Sequence, residues 1–207
     1  MLLSGTGRTL ENLLESITAD ELDAEVVMVV SSVPAVRGLS IAEAAGIPTA
    51  TVRRRDYPDD VAYSDAIYAM LAPVAPDLIV LAGFLRKLVV RDDLAGRILN
   101  IHPALLPEAA FAAGRGFYGE RIHAAVLASG ATESGATVHV VDNGYDTGPA
   151  VLQARVPIQP DDTPATLGAR VFDAERWLYP EAIRRHIAAH PELLCAAAQI
   201  GASSETR

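Results

Sequence analysis

Asn100 and His102 are the residues whose types and spacing most clearly suggest chemistry. They stand two positions apart in a short apolar run, Arg97 to Pro103, that reads as a strand ended by proline. Side chains two apart on a strand project from the same face, so the amide and the imidazole lie side by side. This pair suits a reaction that develops an oxyanion and moves a proton. A hydrogen-bonded structural histidine is the alternative interpretation of His102.

Asp146 is the carboxylate that could complete this pair. It lies in the turn GYDTGP after another predicted strand and could reach the imidazole of His102 across the sheet. A carboxylate there would raise the pKa of His102, fix its tautomer and keep the ring cationic enough to donate a proton. From the spacing alone, an aspartate that merely forms the turn is the better interpretation.

A second candidate is the turn SGTGRTL near the N-terminus, which joins a strand to a helix. Its glycines let the backbone curl and leave the first N–H groups of the helix available to an anion, and Arg8 and Thr9 could add side-chain donors. The turn thus suggests a phosphate pocket, with an ordinary strand-to-helix turn as the alternative. Leu10 replaces the third glycine of the dinucleotide fingerprint, which disfavours NAD.

The remaining histidines and the single cysteine suggest no further chemistry. His139 alternates with valines and is interpreted as a core histidine, while His123, His186 and His190 lie on predicted helices without metal-ligand spacing. No metal site is expected. Cys195 has no partner for a disulfide, so we expect a reducing, cytoplasmic setting.

The elements around these residues alternate between apolar strands and amphipathic helices, which predicts an α/β fold with a mostly parallel sheet and helices on both faces. The last two strands alternate more and are expected at an antiparallel edge. Residues 104–119 form a long loop and a candidate lid. The predicted strands are residues 1–3, 25–32, 47–52, 77–83, 97–103, 136–141 and 150–158, and the predicted helices are 8–17, 39–45, 61–71, 120–128 and the long 163–187.

The composition limits the possible partners. The chain of 207 residues is 50% hydrophobic, which suffices for one domain over residues 1–190, and residues 191–207 read as a frayed tail. The net charge of −9 makes a general nucleic-acid or membrane binder unfavourable, so an anionic ligand must use a local pocket. The longest uncharged apolar run, residues 78–85, is shorter than the ~20 residues of a membrane span.

Six strings together resemble the phosphoribosylglycinamide formyltransferase family, the folate-dependent enzymes of purine synthesis. They are SGTGRTLENL, DLIVLAGFLRKL, RILNIHPALLP, GATVHVVDNGYDTGP, LQARVPI and ARVFDAERWLYPEAI, and they extend from about residue 3 to residue 183. The resemblance implies a Rossmann-like formyltransferase fold, 10-formyltetrahydrofolate as the formyl donor and glycinamide ribonucleotide as the acceptor. It also implies small-molecule partners and a monomer or homodimer.

The resemblance assigns site residues position by position. Asn100, His102 and Asp146 match the catalytic trio of the family, and the amine of the acceptor attacks the formyl carbon directly while Asn100 donates to the oxyanion and Asp146 holds His102 protonated. The acceptor-binding positions are Gly7, Arg8, Thr9 and Glu175. The folate-binding positions are Leu85, Arg86, Lys87, Leu88, Asn100, Asp142, Asn143, Gly144, Tyr145 and Asp146.

The chain departs from the family pattern at several places. Its first strand is shorter than usual, as expected from a misassigned start that removes part of a central strand. Arg8 and Thr9 stand where many members have serine and asparagine, and Asp60 stands where some members have an arginine that helps to hold folate. The lid lacks the usual PGxHxH-like pattern. Two alternatives share part of the motif set: a formyltetrahydrofolate hydrolase, which delivers the formyl group to water, and a catalytically silent phosphate-binding module.

Overall fold

The computed structural model describes residues 1–114, 116 and 118–195. Within these residues seven strands form one sheet in the order β3-β2-β1-β4-β5-β6-β7. Strands β1 to β5 pair in parallel, and β6 and β7 pair antiparallel, which confirms the predicted mostly parallel sheet with an antiparallel edge. The strands are β1 Leu2–Leu3, β2 Val29–Ser31, β3 Thr49–Thr51, β4 Ile79–Leu81, β5 Ile98–His102, β6 Glu133–Val140 and β7 Ala150–Pro157.

Helices cover both faces of this sheet. Leu3 and Val29 pack with side chains of the first two helices, whereas Leu2 and Ile79 pack with Tyr63 and Ile67 of the third. The helices are α1 Arg8–Thr18, α2 Arg37–Ala44, α3 Asp60–Leu71, α4 Glu120–Ala128, α5 Pro164–Ala189 and α6 Glu192–Cys195. This arrangement confirms the Rossmann-like α/β class.

The parallel strands are shorter than the sequence predicts. The predictions of residues 25–32 for β2 and 77–83 for β4 are each reduced to three residues. Both strands flank β1, whose two residues pair with Val30 and Ser31 on one side and Leu81 on the other. On their outer sides β2 pairs with β3 and β4 with β5, again over three residues each, so the ladders on both sides of β2 and β4 are short.

Helix α5 is the long C-terminal helix predicted from the sequence. It runs for 26 residues, with Thr163 and Thr166 forming a reciprocal cap and Pro164 in the first turn. Buried side chains, including Leu167, Val171 and Leu178, pack it against the sheet. Beyond it α6 buries Leu193, and residues 196–207 of the predicted tail lie outside the described residues.

The order of the strands places a crevice at one edge of the sheet. The chain moves from β1 to β2 and β3 on one side and then crosses to β4 and β5 on the other, so strand order reverses between β1 and β4. Ligands of open α/β sheets bind outside the carboxyl ends of the strands at such a point. The turn after β1, the segment after β4 and the residues at the end of β5 all meet there.

Candidate active site

A cleft of about 1020 Å³ occupies the expected edge of the sheet. Its walls come from the turn after β1, residues 81–88, the loop after β6 and one face of α5. On α5, Gly168, Phe172 and Glu175 line the cleft at helical spacing. The predicted site residues in the wall are Gly7, Arg8, Thr9, Leu85, Arg86, Lys87, Leu88, Asn100, His102, Asp142, Gly144, Tyr145, Asp146 and Glu175.

The three candidate catalytic residues lie together in this cleft. Asn100 and His102 project from the end of β5, and Asp146 faces them from the loop between β6 and β7. The Asn100 Nδ2 atom lies 3.4 Å from Asp146 Oδ1, and His102 Nδ1 lies 3.7 Å from Asp146 Oδ2. The predicted approach of the carboxylate to the imidazole across the sheet is therefore present.

Asp146 is held by a contact outside its own turn. The Gly114 N–H donates to Oδ2 over 2.9 Å, and the backbone of Asp146 has a φ of 55°, a region that aspartate tolerates better than most residues. Within the same turn it is Asp142 whose Oδ1 accepts bonds from Gly144 N and Thr147 Oγ1. The turn-forming aspartate is thus Asp142, and the carboxylate of Asp146 is directed to the site.

His139 is a fourth residue of this cluster. The sequence pattern alone predicts it to be a core histidine. It is 3% exposed, as expected for a core residue, and its Nε2 atom lies 3.1 Å from Asn100 Nδ2 and 3.6 Å from Asp146 Oδ1. The Nδ1 atom faces the Val140 carbonyl, which only accepts, so we assign the proton to Nδ1 and let Nε2 accept from Asn100. Its place follows from the pairing of Asn100 with His139 between β5 and β6.

The expectation that Asp146 keeps His102 protonated is wrong for this arrangement. Burial lowers the pKa of His102, and this effect exceeds the opposing influence of Asp146 and of the Ala112 carbonyl. The carbonyl lies 3.1 Å from Nε2 and can only accept, so Nε2 carries the proton. A neutral ring then turns an unprotonated Nδ1 towards Asp146, which agrees with their separation of 3.7 Å.

The pKa of Asp146 moves in the opposite sense to its burial. Burial alone raises the pKa of this carboxyl group, but a proton on the His139 or His102 ring facing it and the Gly114 N–H lower it below its ordinary value. Asp146 therefore stays ionised beside a neutral His102. An ionised Asp146 can stabilise a second proton on the His102 imidazole, and further negative charge in the cleft would add to this effect.

The candidate lid contacts two of the three candidate catalytic residues. Residues 104–119 contain a short 3₁₀ turn at Ala110–Ala112, and Ala112 is fully buried. The Ala112 carbonyl contacts His102 and the Gly114 N–H contacts Asp146, so two backbone groups of this loop touch the catalytic cluster. Positions 115 and 117 of the loop lie outside the described residues.

One end of the cleft is built at the N-terminus of α1. Gly7 begins this helix with a φ of 74°, and a Cβ atom there would lie 2.5 Å from the Gly38 Cα atom. The backbone can therefore make this tight turn only with glycine. No side chain among the described residues caps the helix, so its first N–H groups suit an anion.

Arg8 and Glu175 bring opposite charges to this end. The Arg8 guanidinium lies 3.8 Å from the centre of the Phe172 ring, in a cation–π arrangement. Glu175 is 9% exposed, and burial raises the pKa of its carboxyl group to about 7 against the opposing charge of Arg8. A protonated Glu175 is a hydrogen-bond donor as well as an acceptor.

The other end of the cleft is built from loops. Leu88 is buried, while Leu85 and Tyr145 are exposed and Lys87 Nζ lies 5.2 Å from the Tyr145 ring centre. Asp60, at the position where the family resemblance expects an arginine, accepts a 2.5 Å bond from Arg54 Nε. Arg54 itself lines the cleft, so a cation is present here although it comes from a different position.

Asn143 is the predicted site residue that the structure does not bring into the cleft. The described wall includes Asp142 and Gly144 on either side of it but not Asn143. Its side-chain amide instead binds the backbone of Val90 through both of its polar atoms.

Two features are absent from the part of the chain that the structure describes, a metal cluster and a membrane-spanning helix. There, no group of three or more histidine, cysteine or acidic side chains is placed to hold a metal ion. Among the described helices none combines the length and the apolar character needed to cross a bilayer.

Comparison with known proteins relates this cleft to formyl transfer. The profile of the family described as "Formyl transferase" matches residues 1–183. The phosphoribosylglycinamide formyltransferase of Haemophilus influenzae is 36% identical over 186 residues, covering 89% of this chain and 84% of that protein. The crystal structure of the phosphoribosylglycinamide formyltransferase of Brucella melitensis is 42% identical, with a TM-score of 0.77, and covers 89% of this chain and 92% of that one.

A longer relative matches through one part of its length. The trifunctional purine biosynthetic protein adenosine-3 of Drosophila melanogaster is 40% identical over 188 residues, which cover 88% of this chain and 13% of that protein. The chain thus spans a small fraction of this relative and most of the two single-function ones. From the family match over residues 1–183 and these likenesses, the chain belongs to the formyl transferase family.

Proposed function

We propose that the protein transfers the formyl group of 10-formyltetrahydrofolate to the amine of glycinamide ribonucleotide, a step of purine biosynthesis. The observation that carries the proposal is the meeting of Asn100, His102 and Asp146 between an anion-binding helix terminus and a loop-built pocket. The names of the relatives from Haemophilus and Brucella agree with it. The proposal includes a cytoplasmic location and a monomer or homodimer.

The acceptor occupies the end of the cleft at α1. Its phosphate binds the first N–H groups of this helix together with Arg8 and Thr9, and its ribose binds Glu175. These donors form a local positive site in a chain of net charge −9. The phosphate draws the Arg8 guanidinium away from the Phe172 ring, over which it otherwise lies.

The donor occupies the loop-built end. Its pterin lies between residues 85–88 and the loop of residues 142–146, with the formyl group directed to Asn100. The glutamate carboxylates of the donor meet the cations of that end, Arg54, Arg86 and Lys87, which line the same cleft. Arg54 would bind a donor carboxylate in place of the arginine that some family members have at the position of Asp60.

The reaction is a direct attack of the acceptor amine on the formyl carbon. Asn100 Nδ2 and the Nε2–H of His102 donate to the oxygen of the tetrahedral intermediate, the latter exchanging its bond to the Ala112 carbonyl for the substrate. The negative charge of the intermediate offsets the burial that lowers the pKa of His102, so a protonated ring facing Asp146 becomes stable. Water carries the proton released by the amine to His102 Nδ1, and Nε2–H passes its proton to the folate nitrogen. The bond between that nitrogen and the formyl carbon then breaks as the formyl C=O bond re-forms.

An absorbance assay with 10-formyl-5,8-dideazafolate and glycinamide ribonucleotide tests the proposal. We expect the deformylated donor to appear only when the ribonucleotide is present. Appearance of the same product at the same rate without acceptor would replace the proposal by a hydrolase. Absence of any reaction with both substrates would favour a silent phosphate-binding module.

A further inference from the structure

The segment after Leu88 is held in place by side chains from two other parts of the fold. Its backbone is not part of a strand, yet both polar groups of Val89 are bonded: Val89 N donates to Ser64 Oγ over 2.9 Å, and Val89 O accepts from Tyr68 OH over 2.8 Å. Both partners belong to α3. Satisfied backbone groups fix an irregular segment much as a strand ladder fixes a regular one.

The next residue is bound from the opposite side of the cleft. Val90 N donates to Asn143 Oδ1 over 2.8 Å, and Asn143 Nδ2 donates to Val90 O over 3.1 Å. The side-chain amide thus presents one donor and one acceptor to one residue, as a paired strand would. This contact joins positions that are 53 residues apart in the chain.

The contact connects the two loop walls of the cleft at residues that do not line the cleft themselves. Asn143 belongs to the loop that carries Asp146, and Val90 follows directly on residues 85–88, which form the facing wall. A second contact between these walls, Lys87 Nζ at 5.2 Å from the Tyr145 ring centre, involves a flexible side chain and has no fixed direction. Val141, just before the second loop, also packs in the apolar cluster that contains Leu88 and Val90. Asn143 adds a pair of directional hydrogen bonds to these contacts.

We propose that Asn143 is a positioning residue that fixes the spacing between the donor-binding wall and the loop of Asp146. The inference rests on the proposed function, because it takes this end of the cleft as the donor pocket. Loosening the link separates the two walls without touching the α1 end, where the acceptor phosphate binds. Its loss therefore weakens the donor and leaves the acceptor unaffected.

Two substitutions at Asn143 test this role by comparing the KM values of the two substrates. In Asn143→Asp an ionised carboxylate still accepts from Val90 N but places a second oxygen against Val90 O, and in Asn143→Ala both bonds to Val90 are lost. We expect each variant at pH 8 to raise the donor KM about tenfold and to leave the acceptor KM within about twofold of wild type.

Ser129→Ala is the matched control. The Ser129 hydroxyl also donates to one backbone carbonyl, that of Val126 over 2.7 Å, and accepts from one backbone N–H, that of Ala131 over 3.3 Å. Ser129 is not part of the described cleft wall, so the donor KM should stay within about twofold of wild type. Thermal unfolding of each variant verifies that it is folded, and the dissociation constant of the dideazafolate analogue gives the same comparison without turnover.

Three results would overturn the inference. They are an unchanged donor KM in Asn143→Asp, an unchanged donor KM in Asn143→Ala, and a rise of the acceptor KM equal to that of the donor KM. Each is measured against an active wild type, so the proposed function survives it. A wild type that neither turns over nor binds the donor analogue overturns both.

Discussion

The two ends of the cleft are built in different ways. The proposed acceptor end rests on regular elements, with the tight turn at Gly7 starting α1 and one face of α5 opposite it. The proposed donor end consists of loops whose backbone groups are bound by side chains, such as Asn143 on Val90 and Tyr68 on Val89. The first end is fixed by close packing of backbone, and the second by individual hydrogen bonds that single substitutions can remove.

This difference predicts how each end responds to change. At a close-packed end, one added methyl group alters both stability and binding, because nothing nearby can yield without moving backbone. At a hydrogen-bonded end, substitutions change binding of one substrate while the fold persists. The catalytic trio lies between the ends and depends on both, so it gives the largest effect.

His102→Ala should separate chemistry from binding at both ends. We expect turnover to fall about 10²- to 10⁴-fold, because the variant loses a donor to the intermediate and the group that moves the proton. The affinity for glycinamide ribonucleotide, measured by calorimetry, should change little since the phosphate site is separate. His190→Ala, at an exposed histidine, is the control. Normal turnover in His102→Ala would remove this residue from the mechanism.

Gly7→Ala tests the close packing of the acceptor end. The added Cβ meets the Gly38 Cα atom at 2.5 Å on a backbone with a φ of 74°, so we expect the free energy of unfolding to fall by about 2–4 kcal/mol. Gly5→Ala is a close control, because a Cβ there has no described atom within 4 Å and no positive φ. Chemical denaturation of the two variants provides the comparison, and equal stability of both would contradict the packing argument.

The sequence predicts the two ends unequally for the same physical reason. The turn at Gly7 and the pairing of Asn100 with His102 on one strand face are local patterns, and both are present where the periodicity places them. The addition of His139 depends on the register between β5 and β6, and the attachment of Asn143 depends on a residue 53 positions away. Such contacts have no local signal.

The direction of the His102 pKa is the clearest failure of local reasoning. A nearby carboxylate alone predicts a raised value, and Asp146 is present as expected. The lid loop buries the imidazole to 4% exposure and reverses the result. Burial depends on every element that packs around the ring, so it becomes known only with the whole fold.

Glu175 gives the stability of the protein a pH dependence that arises at the acceptor end. Its pKa is about 7 in the folded protein against about 4.5 in the unfolded chain, so the folded state binds the proton more tightly. The contribution of this group to the free energy of unfolding is fully present below about pH 4.5 and is lost as the pH rises through about 7. The change amounts to about 3 kcal/mol.

Glu175→Gln should remove that component. In wild type, Glu175 lowers the free energy of unfolding as the pH rises from 5 to 8. In Glu175→Gln this decrease should be absent, so the free energy of unfolding, measured by denaturant titration, should fall less or rise over the same range. Glu25→Gln, at an exposed glutamate, should leave the wild-type difference unchanged. A wild-type pH profile in Glu175→Gln would show that the buried carboxyl does not titrate in this range.

Arg54→Met should have the smallest effect and act at the donor end alone. Arg54 lines the cleft and is paired with Asp60, whereas the neighbouring Arg53 pairs with Asp56 on the exposed surface. Removing a partly exposed cation that meets a donor carboxylate should raise the donor KM by about three- to tenfold and change the free energy of unfolding by less than about 1 kcal/mol.

Arg53→Met is the control, because it makes the same change of charge away from the cleft and should leave the donor KM unaltered. If both variants weaken the donor equally, long-range charge rather than a local contact attracts the carboxylate. Repeating the titration at high salt separates these cases, because a contact inside the cleft is screened less than a surface field.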